Sequence, residues 1–586
     1  MSYEPFYNTG TFINNELGFY LGYSSIKGSF SDCLPIYNEN KNIVVFFAGE
    51  CLMDRSVINQ LRSRGHIFAS EGARYLPHLY EEEGERFFDV LNGWYSGLIL
   101  DLERKRAYLF NDRYGMQKIY FYESDNTFYF SSEVKALLRV LPQLRVLDPR
   151  SIGDYLAYDC IFDNRCYFKG VSLLPPGSRW TFIHRENRKE YSFDPKQLEN
   201  LAFINETRYF TELVLTFQKI MPRYFEGENV GLALTGGQDT RLIFALQNPN
   251  PLELRCFTFG GIYRETRDIE IARKIANQFG QNYRAIRLSQ QFLRDFAAHA
   301  EKAIYLTDGQ SDVLTVHETY LNNIVREFIS IKVTGKFGSQ VMGAAHPLEK
   351  QRPPVPELVH ADYQPFVSEA ILSFKNIIQE HALTRLLFKE IPWFWARYTA
   401  AELSQLMVRS PFMDNELIHL LYRTPKELVF SRDFHFKIIN EVNPSLNKIM
   451  TNLGRYGART PFYLKPFEIL VRNTELLDRW LNASSLRYDL HHWLPKLESV
   501  LYYAQLEPLY FDRSQFVHYR RWFARELSEY VQDTLLSQRA LQRPYINRDF
   551  VGRMVRDHIK GRKNYLKEIN KIMTLELIQK TFIERY

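Results

Sequence analysis

A glycine-rich turn near the middle of the chain holds the residues best suited to chemistry. It joins an apolar run at residues 230–234 to a second one at residues 242–246, which predicts a buried strand followed by a helix. Its two glycines are expected to leave main-chain amides free to converge on one anion, and a helix amino terminus attracts negative charge. We therefore predict a phosphate site formed by Leu234, Thr235, Gly236, Gly237, Gln238, Asp239, Thr240 and Arg241.

Asp239 stands just inside the predicted helix. A carboxylate at this place could hold Mg2+ against phosphate oxygens, because this cation prefers oxygen ligands. The plain alternative is a helix cap at a glycine turn, since Thr and Asp are common at such caps. The turn is not a Walker loop, because no Lys-Ser or Lys-Thr follows the glycines at the required spacing, and it lacks the GxGxxG pattern.

A second turn of the same kind follows the predicted strand at residues 255–259, where Gly260 and Gly261 come next. Ligands of doubly wound sheets lie at the carboxyl ends of the strands. We expect both turns to meet at that edge, so that a ligand there would lie near Phe257, Thr258 and Phe259.

The pattern of apolar residues divides the chain into two parts. Up to about residue 182, short β-rich runs such as residues 43–47 alternate with turns, which predicts layered sheets. From residue 230, strands alternate with helical stretches, which predicts a doubly wound parallel sheet, and beyond about residue 360 the pattern is almost wholly helical. We predict an α/β multidomain protein with one domain over residues 1–190 and a second over residues 205–586.

Composition and charge argue against several classes of protein. The formal charge of +6 comes from 74 basic and 68 acidic residues without a long run of one sign, so nucleic acid is not an expected partner. No stretch is long and apolar enough to predict a membrane span, and the first residues do not resemble a secretion leader. Five scattered Cys residues without a CxxC pair favour a cytoplasmic protein with reduced thiols and argue against structural zinc.

The central turn resembles SGGxDS, the pyrophosphate loop of the ATP pyrophosphatase group, with Thr235 and Thr240 in place of the two Ser residues. Further motifs of asparagine synthetases follow in the same order along nearly the whole chain. They include FAGE at residues 47–50, LNG at 91–93, NDRYG at 111–115 and RSPFMD at 409–414. The chain is similar to the asparagine synthetase family from end to end. This resemblance implies an amino-terminal, Ntn-hydrolase-like αββα domain of the glutaminase type, followed by an ATP pyrophosphatase domain.

The amino-terminal half departs from that family in its glutaminase pocket. Ser2 stands where the amidotransferase members carry a catalytic Cys, whose thiolate attacks glutamine. Ala48 replaces the Asn of the family's FNGE motif, and residues 21–25 and 70–73 lack its glutamine-binding Arg and Asp. These four losses imply that glutamine is not hydrolysed. The chain resembles in this respect the members that lack the terminal Cys, such as β-lactam synthetase and lasso-peptide cyclases.

The second half departs from the family as well. The family's second loop, SGEGSDE, is represented by residues 334–340, in which Lys336 and Gln340 replace acids. The resemblance places Thr334 and Gly335 at the nucleotide. It also implies a metal site with fewer carboxylate ligands than the family has, in which Asp239 is the remaining carboxylate.

The family's catalytic Lys should lie within residues 447–455, but none aligns cleanly. Lys336, Lys448 or Arg455 could supply the cation that stabilises charge on the phosphate, because this role requires a placed charge rather than one residue type. For each of the three, a solvated surface position is the alternative interpretation.

The resemblance implies a ligase that uses ATP and Mg2+. A carboxylate would attack the α-phosphate, pyrophosphate would leave, and an amine would then displace AMP to form an amide. The substrates would be small-molecule or peptide acids and amines of specialised metabolism, and a homodimer or a biosynthetic partner protein is compatible with the sequence. The alternative is a catalytically inactive relative that serves as a partner or regulatory protein, which the missing acids of the second loop support.

Overall fold

The computed structural model describes residues 4–69, 71–125, 127–183, 186–343, 356–428, 433–457, 460–470 and 515–585. The strands of the amino-terminal region are β1 (Tyr7–Asn14), β2 (Phe19–Ile26), β3 (Ile36–Tyr37), β4 (Ile43–Cys51), β5 (Gly93–Asp101), β6 (Arg106–Asn111), β7 (Tyr120–Ser124), β8 (Thr127–Ser131), β9 (Ser172–Leu173), β10 (Ser178–Ile183) and β11 (Glu186–Tyr191). Its helices are α1 (Arg55–Ser63), α2 (Leu76–Glu83), α3 (Phe87–Val90), α4 (Val134–Val140) and α5 (Pro149–Tyr158).

A six-stranded antiparallel sheet in the order β11-β10-β6-β5-β4-β3 forms the centre of this region. Side chains alternate along its strands, so that Val45 and Phe47 of β4 pack against α1, α2 and α3, whereas Val44 and Phe46 face the opposite way. On that opposite side lie the β1-β2 ribbon and the three-stranded sheet β8-β7-β9. Helix α4 covers the far face of the smaller sheet. The predicted αββα layering is confirmed.

The second region contains a five-stranded parallel sheet in the order β14-β13-β12-β15-β16. Its strands are β12 (Val230–Ala233), β13 (Arg255–Gly260), β14 (Asn282–Arg287), β15 (Ile331–Val333) and β16 (Met407–Arg409). The helices of this region between residues 196 and 341 are α6 (Lys196–Glu199), α7 (Glu206–Tyr224), α8 (Gln238–Gln247), α9 (Arg267–Gln278), α10 (Gln290–Arg294), α11 (Phe296–Leu306), α12 (Val316–Val325) and α13 (Gly338–Val341).

Both faces of the parallel sheet are buried, as expected for strands that are almost continuously apolar. Leu232 and Cys256 point to one face and pack with α7, α8 and α9. Phe257 and Ile286 point to the other face and pack with α11, α12 and the carboxyl-terminal helices. The predicted doubly wound sheet is therefore confirmed. The outer strands β14 and β16 were not predicted from the sequence.

The carboxyl-terminal region is helical, as predicted, except for β16. Its α-helices are α14 (Gln364–Ile377), α15 (Ala382–Arg385), α16 (Ala396–Leu403), α17 (Asn415–Leu421), α18 (Phe434–Val442), α19 (Tyr519–Ala524), α20 (Ser528–Leu535), α21 (Gln538–Leu541), α22 (Arg548–Ile559) and α23 (Leu566–Ile578). Two π-helical segments, Leu386–Trp395 and Gln579–Glu584, continue α15 and α23. In the described ranges, no helix is both long and apolar enough to cross a bilayer.

Candidate functional site

The central turn lies where the order of the parallel strands reverses. Strand β12 pairs with β13 on one side and with β15 on the other, with Leu232 opposite Cys256 and Val333. The chain therefore leaves β12 toward one edge of the sheet and later returns to its other side. Such switch points are where doubly wound sheets bind ligands. The residues after β12, β13 and β15 meet there. The sequence predicted this meeting for the turns after β12 and β13.

The main-chain amides of this turn are mostly occupied within the protein. The amide of Thr235 donates to Oγ1 of Thr240 at 3.0 Å, and that of Gly237 donates to Oγ1 of Thr235 at 3.3 Å. The amide of Gly236 donates to Oδ1 of Asp268 at 2.9 Å, at the start of α9. This differs from the expectation that the glycine amides point freely at an anion. The sequence gives no local signal for Asp268, because it lies on another helix.

The open part of the turn is the beginning of α8. Gly237, Gln238 and Asp239 are half-exposed, and a Cβ added to Gly237 would meet only Oγ1 of Thr235, at 3.3 Å. Amides in the first turn of a helix have no acceptor within that helix, and the helix dipole favours an anion beside them. The candidate phosphate site is therefore narrower than predicted and is centred on residues 237–239.

Asp239 has a close polar neighbour at each of its carboxylate oxygens. Its Oδ2 accepts hydrogen bonds from the amide of Ser339 at 3.2 Å and from Oγ of Ser339 at 2.7 Å. Its Oδ1 lies 2.8 Å from Nε2 of His435 on α18, in a contact that is not aligned as a hydrogen bond. His435 is buried, with 5% of its side chain exposed. The one carboxylate predicted for Mg2+ is thus already engaged by a hydroxyl and an imidazole.

The second loop packs directly on the first. A Cβ on Gly335 would come within 2.9 Å of the amide nitrogen of Thr240, and one on Gly338 would come within 2.8 Å of Cγ of Asp239. Both positions therefore require glycine. Between them, Phe337 adopts a left-handed backbone with φ of 69°, and its ring packs edge-on to Trp94 of the amino-terminal region at 6.0 Å. A left-handed backbone at a residue with a side chain costs roughly 1–2 kcal/mol, so this packing holds a strained turn.

Several residues that the sequence predicted to bind the nucleotide instead form hydrogen bonds with the main chain around the turn. Both terminal nitrogens of Arg241 donate to main-chain carbonyls, those of Gly236, Leu446, Ile449 and Met450. Burial lowers the pKa of this guanidinium to about 10. Oγ1 of Thr258 donates to the carbonyl of the buried Leu234, and the amide of Thr334 donates to the carbonyl of Arg409 on β16. These contacts fix the main chain around the site.

Lys336 belongs to a buried cluster of charges. Its Nζ lies 2.8 Å from Oε2 of Glu402, whose Oε1 binds Nζ of Lys332 at 2.5 Å. Burial acts against the charge on Lys336, but Glu402 and Glu318 outweigh it and raise the pKa of this ammonium above its ordinary value. Nζ of Lys332 also lies over the ring of Phe259, at 4.8 Å from its centre. Phe259 therefore faces this cluster at the edge of the sheet.

The other two candidate cations lie farther along the chain. Lys448 ends a short 3-10 helix, Pro444–Lys448, and is exposed. Arg455 pairs with Asp433 at 3.4 Å and lies over the ring of Phe436, at 4.9 Å from its centre. Lys336 is part of the second loop, whereas Arg455 belongs to a segment in which the amide of Asn452 donates to the carbonyl of Gly236 in the first turn.

The residues present fit a bound phosphate better than a metal-rich site. The half-exposed start of α8 offers amide donors, whereas the second loop offers Lys336 and Gln340 in place of acids. In the described ranges, the only close group of three or more metal-ligating side chains lies elsewhere, in the amino-terminal region. Mg2+ would take one ligand, Asp239, from this site, and phosphate oxygens and water would supply the others.

The matched motifs of the two halves bind each other directly. Arg409 donates two hydrogen bonds to Glu50 of β4, at 2.7 and 2.6 Å, and both side chains are largely buried. Asp414 is fully buried and accepts from Asn92 at 3.0 Å, as well as from Arg223 and Tyr224. FAGE and LNG thus form the contact surface for RSPFMD. Ser2 and Ser70 of the predicted glutaminase pocket lie outside the described residues.

Comparisons with known proteins agree with this architecture. The family described as "Glutamine amidotransferase domain" matches residues 25–193. Asparagine synthetase [glutamine-hydrolyzing] 3 of Arabidopsis thaliana is 26% identical over 293 residues, which are 48% of this chain and 44% of that protein. Asparagine synthetase [glutamine-hydrolyzing] 3 of Bacillus subtilis is 21% identical over 439 residues, which are 66% of this chain and 70% of that protein.

Shorter matches are closer in sequence. Asparagine synthetase [glutamine-hydrolyzing] 2 of Oryza sativa subsp. japonica is 36% identical over 104 residues, which are 18% of this chain and 17% of that protein. The chain thus spans less than half the length of several curated relatives it matches. Glutamine phosphoribosylpyrophosphate amidotransferase of B. subtilis, solved with ADP and GMP, is 14% identical over 56% of this chain and 68% of that chain, with a TM-score of 0.22 that carries no weight. The chain is thus similar to glutamine amidotransferase domains over residues 25–193 and to asparagine synthetases over 66% of its length in the longer of these matches.

Proposed function

We propose that this protein is an ATP-dependent carbon–nitrogen ligase that activates a carboxylate as its adenylate and couples it to an amine. The observation that carries this proposal is the half-exposed start of α8, residues 237–239, at the switch point of a parallel sheet. The similar proteins support the same class of reaction, since they are named asparagine synthetases. A cytoplasmic location is part of the proposal.

The proposed reaction has two steps. A carboxylate oxygen attacks the α-phosphorus of ATP and pyrophosphate leaves, which gives the acyl adenylate. An amine nitrogen then attacks the acyl carbon, loses a proton to solvent, and AMP leaves. The protein would mainly align the two reactants and stabilise negative charge, which accounts for much of the rate in such reactions.

Different residues of the site would bind the phosphates, stabilise charge and contact the nucleotide. The amides at the start of α8 would bind the phosphates, and Mg2+ on Asp239 would neutralise part of their charge. Lys336 is better supported than Lys448 as the stabilising cation, because Lys336 adjoins both loops while Lys448 is exposed at the end of another element. Phe259 would border the nucleotide at the end of β13.

We further propose that glutamine is not the nitrogen donor. The relatives are named glutamine-hydrolysing enzymes, but this chain has Ser2 and Ala48 where their family has a Cys and an Asn. The amine would come from the substrate itself, from a second substrate or from ammonia. This is the arrangement expected of an enzyme of specialised metabolism that acts on a small molecule or a peptide.

A second function is supported by a specific observation. Asp239 already lies beside His435 and accepts hydrogen bonds from Ser339, and Lys336 lies beside Glu402, so the metal and charge groups of the site have close partners without a ligand. In a catalytically inactive partner or regulatory protein, selection would not keep these groups accessible to ATP and Mg2+.

One experiment separates the two functions. ATP binding is measured by calorimetry with and without Mg2+, and pyrophosphate release is then measured over a panel of small acids and peptides with added ammonium or amines. Acid-dependent pyrophosphate release supports the ligase. ATP binding without pyrophosphate release from any acid supports the inactive partner, and no binding of ATP would overturn the ligase.

A further inference from the structure

A compact group of histidines and glutamates lies in the helical layer of the amino-terminal region, away from the turn after β12. It draws Glu39 from the segment between β3 and β4, His66 from the loop after α1, and His78 and Glu81 from α2. One ligand atom from each of the four lies within 4.8 Å of the others. His78 and Glu81 are three residues apart, so they share one face of their helix.

The separations within this group suit a single ion. Nδ1 of His66 lies 3.6 Å from Oε1 of Glu39 and 4.0 Å from Oε2 of Glu81, and Nδ1 of His78 lies 3.0 Å from Oε2 of Glu39. Zinc ligands at about 2.0–2.2 Å in a tetrahedron are roughly 3.3–3.5 Å apart. Shifts of less than about an ångström in these side chains would therefore bring the atoms to ligand positions.

Outer contacts orient the ligands as they do around known zinc ions. Nε2 of His66 lies 2.9 Å from Oε1 of Glu82, so a proton held there leaves Nδ1 with a free lone pair directed at the group. The amide of Ile67 donates to Oε1 of Glu39 at 2.8 Å, and Nδ2 of Asn38 donates to Oε2 of Glu81 at 3.3 Å. Histidine ligands in metal sites characteristically have such a carboxylate behind them.

His78 gives an independent indication of a ligand. Only 2% of its side chain is exposed, yet its Nδ1 has no hydrogen bond of acceptable geometry. A buried polar atom without a partner is costly, and native proteins rarely keep one unless something else satisfies it.

We propose that Glu39, His66, His78 and Glu81 form a structural site for one tetrahedral divalent transition metal ion, best satisfied by Zn2+. Two imidazoles and two carboxylates suit zinc rather than Ca2+ or Mg2+, which prefer oxygen ligands. Four protein ligands leave no open position, so the ion would act as a cross-link. It would tie the loop after α1 and the β3–β4 segment to α2, over the core that lies beneath these elements.

The competing interpretation is an ion-pair cluster in which the two histidines carry protons from solvent and the charges of the neighbouring glutamates stabilise them. Both interpretations predict that substitutions weaken the amino-terminal region. They differ in the response to metal, because only the zinc site binds an ion with fixed stoichiometry and is stabilised by it.

The test uses the full chain without a polyhistidine tag. The protein is treated with a chelator, dialysed and titrated with Zn2+, and bound metal and melting temperature are measured. We expect one Zn2+ per chain and a melting temperature several degrees higher with zinc, with both effects lost in His66→Gln and Glu81→Gln. His419→Gln is the matched control, because His419 is an exposed histidine on α17, and it should behave like the wild type.

Cobalt provides a measurement that does not depend on any variant. Co2+ in the wild-type chain should give the intense visible absorption of tetrahedral coordination, and Zn2+ should displace it. Zinc uptake that His66→Gln and Glu81→Gln leave unchanged would overturn the proposal. So would a wild-type chain that binds no zinc, or one whose cobalt spectrum is that of an octahedral ion.

Discussion

Nε2 of His435 lies 2.8 Å from Oδ1 of Asp239, at the start of the helix that carries the candidate phosphate site. Oγ of Ser339 donates a hydrogen bond to the other carboxylate oxygen, Oδ2. The chemistry of the site therefore depends on whether Asp239 exchanges these partners for a metal ion or keeps them as a structural contact. Paired substitutions of these residues distinguish the two roles.

We expect Asp239→Asn to reduce Mg2+-dependent pyrophosphate release by about 100-fold or more, because removal of a preorganised charge at a phosphate has effects of this size. The amide keeps the shape of the side chain, so the melting temperature should fall little. Pyrophosphate release is followed by a coupled assay. Unchanged turnover would remove Asp239 from the metal role.

His435→Gln should have the opposite effect on metal dependence. The substitution removes the imidazole beside Asp239 and leaves its carboxylate in place, so ATP binding should require several-fold less Mg2+. Calorimetric titrations of ATP at a series of Mg2+ concentrations measure this shift. An identical Mg2+ dependence in wild type and variant would support the structural role of the pair and the inactive-partner function.

Gly237→Ala should weaken ATP binding by about 10-fold or more without loss of stability, because a methyl group would cover the amides that face the phosphate. The backbone there is extended, and an added Cβ would meet only Oγ1 of Thr235. The control is Gly552→Ala on α22, where a Cβ meets only the far end of Arg556. That variant should bind ATP normally and gain about 0.5–1 kcal/mol of stability.

Glutamine should not serve as nitrogen donor. Incubation with amide-labelled glutamine, ATP and an accepted acid should leave the product unlabelled, whereas labelled ammonium or the accepted amine is incorporated. Ser2→Ala should leave activity intact, because the proposed reaction uses no terminal nucleophile. Label from glutamine in the product, or loss of activity in Ser2→Ala, would contradict the proposed loss of the glutaminase.

The pair of Arg409 and Glu50 should stabilise the contact between the two halves. Glu50→Gln leaves a buried guanidinium without its counter-charge, and breaking such a pair costs about 3–5 kcal/mol. The midpoint of urea unfolding should fall accordingly. Arg55→Ala is the control, because Arg55 pairs with Glu226 while 75% of its own side chain is exposed, and such pairs contribute about 0–1 kcal/mol. Equal effects of the two variants would show that the buried pair contributes little.

Lys118 should make stability depend on pH in the alkaline range. Burial lowers the pKa of this ammonium to about 8, against opposing effects of Cys160, Cys166 and Asp308. Between about pH 8 and 10.5 the unfolded chain holds a proton that the folded chain has released, so the free energy of unfolding rises with pH.

Lys118→Met removes this titration. The wild type should gain about 2–3 kcal/mol relative to the variant as the pH rises through that window. Urea unfolding at a series of pH values measures the difference. Lys196→Met, at an exposed lysine on α6, should show no such gain. A difference between wild type and Lys118→Met that does not change with pH would contradict the assigned cause.

Motifs in the sequence by itself indicated the resemblance to asparagine synthetases. The sequence by itself also determined the layered sheets, the doubly wound sheet and the strand–turn–helix at residues 230–247. These features follow from local patterns, because alternation and helical periodicity are set by neighbours in the chain. The departures at Ser2, Ala48, Lys336 and Gln340 were equally visible, because each is a change of residue type within a recognisable motif.

Only the tertiary structure decided what these residues contact. Asp268 occupies an amide of the phosphate turn, His435 pairs with Asp239, and Glu402 pairs with Lys336. In each pair the partner comes from a segment far away in the chain, brought near because both faces of the sheet must be covered by helices. Local sequence carries no trace of such pairings, since burial and charge balance in the folded chain select them. The histidine–glutamate group of residues 39–81 arises in the same way, from three elements that meet only when α2 packs on the central sheet.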